Sequence, residues 1–198
     1  MSFSLEFLKI TSSTIDALDH SAIEGAAVLL GSVRDSGGRL FTCGSGGGAG
    51  HASHAACDFR KLCEFETYCV TDNVSELTAR VNDDGWGSSY SNWLKVSKLS
   101  SNDAILIFSV GGGSAKKNVS PNLIEACNLA KSVRAKIIAI VGRDGGSIGE
   151  LADQSILIPP LISSQVTPQT EGLQAVIWHL LVSHPALAVN AAKWESMP

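Results

Sequence analysis

Two segments of this chain, Asp103–Ser109 (DAILIFS) and Lys136–Gly142 (KIIAIVG), are apolar at almost every position and stop abruptly at a serine or a glycine. A strand with one wet face alternates apolar and polar residues, whereas a parallel strand covered on both faces does not. Three further runs have the same ending in a turn-forming residue: Arg39–Gly44 (RLFTCG), Glu66–Thr71 (ETYCVT) and Ser155–Pro159 (SILIP). Helix-patterned stretches lie between them, among them His51–Leu62, Ser120–Val133 and Ser147–Ala152. Parallel neighbours must be joined by crossovers, so this alternation predicts an α/β fold: a five-stranded parallel sheet inside a three-layer αβα sandwich. Two helices are expected before the first strand, Leu5–Leu18 and Ser21–Ser36. The second carries Ile23, Ala26, Ala27, Leu30 and Val33 at helical spacing. Thr167 and Pro168 suit the N-cap and first position of a final helix that runs to about Ser183, where His184-Pro185 breaks it.

At 198 residues the chain is expected to be one domain, with residues 1–36 helical and residues 37–198 forming the α/β core. A formal net charge of −4 lacks the basic footprint of a nucleic-acid or anionic-membrane binder, so neither is expected as a partner. Any phosphate must therefore be held by local groups. The opening residues contain Glu6 and Lys9 and do not read as a secretory signal, and no apolar run approaches the length of a membrane span. The five cysteines are odd in number and form no CxxC pair, which fits reduced thiols in the cytoplasm.

Chemistry concentrates where strands end. Cys43-Gly44-Ser45-Gly46-Gly47-Gly48-Ala49-Gly50 joins the first strand to a helix, and such a turn brings backbone N–H groups close to an anion. Its spacing is not that of a dinucleotide fingerprint. The second strand lacks the acidic residue that a ribose needs, with Asp72 the nearest, so no nucleotide cofactor is expected. A second loop, Ser109-Val110-Gly111-Gly112-Gly113-Ser114, follows an apolar strand and leads to Ser120-Pro121-Asn122, a helix start. Two such loops at the ends of neighbouring parallel strands define the crevice where open α/β sheets bind ligands. Lys116 and Lys117 are close enough in sequence to reach a phosphate there, although loop lysines are usually just solvated. His54 and Asp58, spaced i, i+4, share a helix face. His51 borders that face and reads as a surface or capping residue. Glu171 and His179 lie eight apart on the last helix, about 12 Å of rise, too far to hold one ion from a regular helix. Two histidines and two carboxylates suit either a metal site or an acid–base pair. Trp86, Trp93, Trp178 and Trp194 read as core or interface anchors.

In order and spacing these elements resemble the sugar-isomerase (SIS) domain proteins, and among them the phosphoheptose isomerases. The resemblance runs over nearly the whole chain: the Cys43–Gly48 loop with His54 and Asp58, the Thr71-Asp72 turn, Asn82-Asp83-Asp84-Gly85-Trp86, the Ser109–Ser114 loop, Gly142-Arg143-Asp144-Gly145-Gly146, and the Glu171…His179 helix. It implies conversion of sedoheptulose 7-phosphate to D-glycero-D-manno-heptose 7-phosphate through an enediol or enediolate, in heptose biosynthesis. It also implies a homotetramer with active sites between subunits, assembled through the two N-terminal helices. The implied catalytic pair is Asp58 and His179. Substrate and phosphate would be held by Ser45, Gly46, Gly47, Asp72, Asn82, Asp83, Ser109, Gly111, Gly112, Ser114, Ser120 and Glu171, and one zinc by His54, Asp58, Glu171 and His179.

The match departs from the family pattern in several places. Asp58 stands where the family has a glutamate, Glu171 where it has a glutamine, Ser45 for an asparagine and Gly48 for a serine. Val110 and Gly111 replace two hydroxyl residues of the phosphate loop, and about six extra residues precede Ser120, so Ser114 and Ser120 both compete for the last phosphate serine. These departures mark a divergent subgroup. Three other readings share the scaffold: a non-catalytic sugar-phosphate sensor or protein-binding adaptor, an isomerase of a hexose or pentose phosphate, and, more distantly, a nucleotide-binding oxidoreductase.

Overall fold

In the computed structural model, which describes residues 2–197, the two apolar segments pair as neighbours. Strand β3 (Ala104–Ser109) runs parallel to β4 (Lys136–Gly142), in register from Ala104 opposite Lys136 to Ser109 opposite Val141. With β1 (Leu40–Gly44), β2 (Thr67–Cys69) and β5 (Gln154–Ile158) they form one all-parallel sheet in the order β2-β1-β3-β4-β5. The helices are α1 (Phe3–Asp16), α2 (His20–Asp35), α3 (Gly47–Cys63), α4 (Val74–Asp84), α5 (Ser89–Val96), α6 (Pro121–Val133), α7 (Gly146–Leu151) and α8 (Val166–Ser183).

Strand parity separates two cores. Leu106, Phe108, Ile138 and Ile140 face α2, α3 and α8, where Leu30, Phe59, Leu173 and Ile177 meet them. Ile105, Ile107, Ile137 and Ala139 face the opposite layer, with Leu94 of α5, Leu123 and Cys127 of α6, and Ile148 of α7. Burying each large side chain contributes roughly 1.5–3 kcal/mol. A one-residue slip would exchange the faces of a whole strand, so this burial fixes the register.

Chain order reverses between β1 and β3, which are adjacent in the sheet although β2 lies between them in sequence. The crevice above such a reversal is where open α/β sheets bind ligands, and both glycine-rich turns open there.

The structure redraws several expected boundaries. The first glycine loop is short, because Gly47–Gly50 already belong to α3. Ser120 precedes α6 but sits in the left-handed region (φ 52°) and makes no capping hydrogen bond through its side chain. The final helix begins at Val166 after a short 3-10 turn, so Pro168 is its third residue and Thr167 does not cap it. The stretch read around Asn82–Trp86 contains the end of α4 and leads into α5. Asn73 caps α4 by accepting the N–H groups of Ser75 and Glu76. Of the N-terminal pair expected to serve assembly, α2 is built into the core through Ile23, Ala26, Ala27, Leu30 and Val33. Only α1 leaves an apolar side uncovered, with Phe3, Leu5, Leu8 and Ile15 exposed. All five cysteines are unpaired. Among the described residues no helix is long and apolar enough to cross a membrane.

Candidate active site

Helices α3 and α8 lie on the same face of a parallel sheet and run side by side in the same direction. Their neighbours show it: the Glu171 carboxylate in the second turn of α8 lies against Gly47 at the start of α3, His54 meets His179 further along, and Cys63 reaches the Val182 carbonyl near the ends. Two helices in step place residues of similar offset at one level. Glu171 and His179 therefore serve different levels of the groove.

Further along the two helices, His54, Asp58 and His179 each offer a ligand atom, all within 4.8 Å of one another. His54 Nε2 lies 3.7 Å from Asp58 Oδ2. The rings of His54 and His179 are 5.6 Å apart and perpendicular. His179 stacks on the buried Trp178, and its Nδ1 lies 2.7 Å from the Ala175 carbonyl. A carbonyl accepts and cannot donate, so this contact fits Nδ1–H and leaves Nε2 free for a ligand or a proton. Glu171, the fourth ligand that the resemblance implies, lies outside this group of three. It faces His51 instead, a residue that spacing alone assigned to the surface. Burial holds the His51 imidazole below its ordinary pKa, against the opposing pull of the Glu171 carboxylate and backbone carbonyl. His51 was missed because an i−3 neighbour of His54 shows its partner only once α8 is in place.

At the mouth of the crevice is a cavity of about 520 Å³, lined by Ser45, Ser109, Gly111, Ser114 and Ser120 among others. The two candidates for the last phosphate serine thus share one cavity. Ser45 Oγ accepts a hydrogen bond from Asn122 Nδ2 (3.0 Å), which is fully buried, and Tyr90 donates to the Gly44 carbonyl just behind (2.7 Å). Ser109 Oγ accepts the Gly112 N–H (3.1 Å), so this hydroxyl shapes the loop while its own hydrogen stays available. Gly112 itself is buried beneath the loop and does not line the cavity. Gly46 and Gly47 are exposed at the start of α3.

Three expected sugar-binding residues lie elsewhere. Asp72 accepts from Ser53 Oγ (2.7 Å) and borders a separate shallow cavity with Arg60, Lys61 and Tyr68. Asn82 and Asp83 are exposed on the last turn of α4 and bond to each other. Sequence reasoning gave no site role to Asn122 or Arg143, and it set Lys117's reach to a phosphate below a merely solvated reading. Arg143 and Lys117 line the serine cavity.

Comparison with known proteins agrees with this architecture. A family model described as SIS domain matches residues 5–142, more than half of the chain. The chain belongs to the SIS-domain family. It is 37% identical over 178 residues to the lincomycin biosynthesis protein LmbN of Streptomyces lincolnensis, a match covering 84% of this chain and 63% of that protein. The chain thus spans less than two thirds of that relative's length. It is 29% identical over 163 residues to the phosphoheptose isomerase of Rhodospirillum rubrum, covering 80% of each. Among solved structures, phosphoheptose isomerase GmhA from Neisseria gonorrhoeae shares the fold with a TM-score of 0.76 at 24% identity, covering 90% of this chain and 92% of that one. A phosphoheptose isomerase from Francisella tularensis shares it at 0.75 and 22% identity, covering 92% and 97%.

Proposed function

We propose that this protein is an aldose–ketose isomerase of phosphorylated sugars, acting on a seven-carbon ketose phosphate such as sedoheptulose 7-phosphate. The observation that carries the reading is the meeting of His54, Asp58 and His179 between α3 and α8, some two helical turns below the serine cavity. His54 follows Gly47 by seven residues, about 10 Å of helix, so a phosphate beside Ser45 leaves the sugar chain to extend along α3 towards the cluster. The relatives named phosphoheptose isomerase support the substrate class.

Asp58 removes the proton from C1 of the ketose and returns it to C2, giving the aldose. His179 Nε2, oriented by its Nδ1 contact, exchanges protons with the two oxygens so that the intermediate is a cis-enediol. Two imidazole nitrogens and a carboxylate oxygen suit zinc with an open fourth position, so His54, Asp58 and His179 would hold it. When bound, the ion would polarise the sugar carbonyl and stabilise enediolate charge. A carboxylate oxygen held tightly by the ion is a poor base, so Asp58 serves the two roles in competition. His54 and His179 are exposed in the single chain. A second copy covering this face would bring the site between subunits, and the uncovered apolar side of α1 supports self-association into the expected tetramer. The unpaired thiols support a reducing, cytoplasmic setting.

Incubation with sedoheptulose 7-phosphate, followed by detection of the aldose, tests the reading. Asp58→Asn should lower turnover by about 10²–10⁴-fold with folding intact. Near-normal turnover in that variant would reject Asp58 as the base, and phosphate-ester binding with no turnover of any sugar phosphate would identify a sensor instead.

A further inference from the structure

The phosphate loop lacks hydroxyls at Val110 and Gly111, and the structure shows what occupies their place. The loop after β3 and the turn after β4 interlock. Ile148 N–H donates to the Gly112 carbonyl (2.8 Å), Ser147 N–H to the Gly113 carbonyl (3.3 Å) and Gly142 N–H to the Val110 carbonyl (3.1 Å). This junction lays the Arg143 stem across Gly111, where even a methyl group would come within 3.1 Å of Arg143 Cδ. Arg143 is itself in the left-handed region (φ 56°), a conformation that disfavours side chains with a Cβ. From the other side, the extra residues before Ser120 form a tight hairpin, with Ser114 and Val119 exchanging backbone hydrogen bonds (3.0 Å each). The hairpin is pinned to α7 by Ala115 N–H donating to Ser147 Oγ (3.2 Å). It carries Lys117 to the cavity wall.

We propose that Arg143 and Lys117 are a cationic clamp for the substrate phosphate, taking over the work of the missing loop hydroxyls and selecting phosphate esters by charge. Two carboxylates, Asp144 and Glu150, also line the cavity. Asp144 Oδ1 is engaged by the Gly146 N–H (3.2 Å), and among the described residues neither Arg143 nor Lys117 forms an ion pair with any acid. Both cations are therefore free to meet an anion that the serines orient. A guanidinium fork donates two parallel hydrogen bonds to phosphate oxygens, and such charge-assisted bonds exceed those from neutral hydroxyls. The replacement exchanges hydroxyl donors for formal charge in a protein whose overall field repels phosphate. The inference rests on the isomerase reading for the identity of the ester but not for the existence of the anion site.

Titration of inorganic phosphate by calorimetry, on the full chain, tests the clamp. Arg143→Gly suits the local backbone, so it should keep or raise thermal stability while weakening phosphate binding about 10-fold or more. Lys117→Gln should weaken it by a smaller factor and, like Arg143→Gly, flatten its dependence on salt. Arg143→Lys should recover part of the loss, since it restores charge without the fork. Phosphate binding unchanged in Arg143→Gly and in the double variant with Lys117→Gln would overturn the clamp and leave the isomerase reading standing. Wild-type protein that turns over a sugar phosphate yet shows equal salt dependence in all variants would overturn it as well. No phosphate binding and no turnover in the wild type would overturn both.

Discussion

Replacing Gly112 by alanine should separate a turn that merely connects from one that builds the anion cavity. The residue has φ 66°, and an added Cβ would lie 1.7 Å from the Gly145 carbonyl oxygen. The left-handed conformation alone costs an alanine about 1–2 kcal/mol. The clash is with backbone, so the Gly145 peptide must retreat by well over an ångström. That movement strains the Ile148→Gly112, Ser147→Gly113 and Gly149→Gly145 hydrogen bonds, each worth about 0.5–1.5 kcal/mol net. The sum is about 2.5–6.5 kcal/mol, or roughly 5–26 °C in Tm for a domain of this size. Gly46→Ala supplies the control: its φ is 59°, but nothing lies within 4 Å of the added methyl group. Its cost should stop at the backbone term, about 1–3 kcal/mol for a φ of 59° with a ψ of −126°. Denaturant and thermal unfolding measure both variants, and phosphate titration shows whether the cavity survives. Equal destabilisation by the two substitutions would refute the interlocked turns, and with them the placement of Arg143.

Other parts of the molecule give further outcomes. Asp103, 2% exposed, accepts from the Arg39 backbone and guanidinium and from Ser100 N–H and Oγ; because Arg39 keeps some water, Asp103→Ala should cost about 3 kcal/mol in denaturant unfolding. Burial pushes the Asp103 carboxyl up, but the bonds from Arg39 and Ser100 outweigh it and hold the pKa below the ordinary value. Its contribution is thus present above about pH 4 and lost as pH falls through the lower folded pKa, an acid-side loss that Asp103→Ala should abolish in unfolding curves recorded across pH. Gly47→Ala meets only the mobile Glu171 carboxylate, at 2.6 Å, so stability should change little while KM for the sugar phosphate rises; unchanged kinetics would remove Glu171 from the substrate path. Zinc at 100 times its Kd should stabilise the protein by about 2.7 kcal/mol. His179→Ala should erase that gain, and a Tm indifferent to zinc in the wild type would reject the metal site.

The sheet was legible because β3 and β4 are written almost wholly in residues that must be buried on both faces. Their ends were legible because a serine or glycine stops each run. The helix starts were less so. Pro168 fits the first position of a helix in isolation, yet the chain enters α8 two residues earlier through the 3-10 turn Ser163–Gln165. The pairing of His54 with Asp58 follows from helical spacing, but their meeting with His179 depends on α3 and α8 running in step, a tertiary fact. The same fact explains why an eight-residue separation first placed Glu171 and His179 at odds: each has its own neighbour on α3. Asp72, Asn82 and Asp83 entered through resemblance alone, and nothing local fixed the direction their side chains would take.

The interlocked turns also bear on how this chain departs from the hydroxyl-rich loop that the family resemblance implies. A loop of hydroxyl residues can grip phosphate by itself and needs only its own backbone geometry. A loop with valine and glycine at those positions cannot, and its function passes to groups on β4–α7 and on the Ser114–Val119 hairpin. Gly111 leaves the Arg143 stem its room, because a Cβ there would lie 3.1 Å from Arg143 Cδ and push it aside by a few tenths of an ångström. The glycines, the left-handed arginine and the inserted hairpin form one coupled set. Restoring a hydroxyl by Gly111→Ser in the wild type should therefore weaken phosphate binding by crowding Arg143. The same substitution in an Arg143→Gly background should strengthen binding relative to Arg143→Gly alone. Phosphate titration of the four proteins reads the sign of this coupling directly, and additive effects would show that the loop and the clamp are independent.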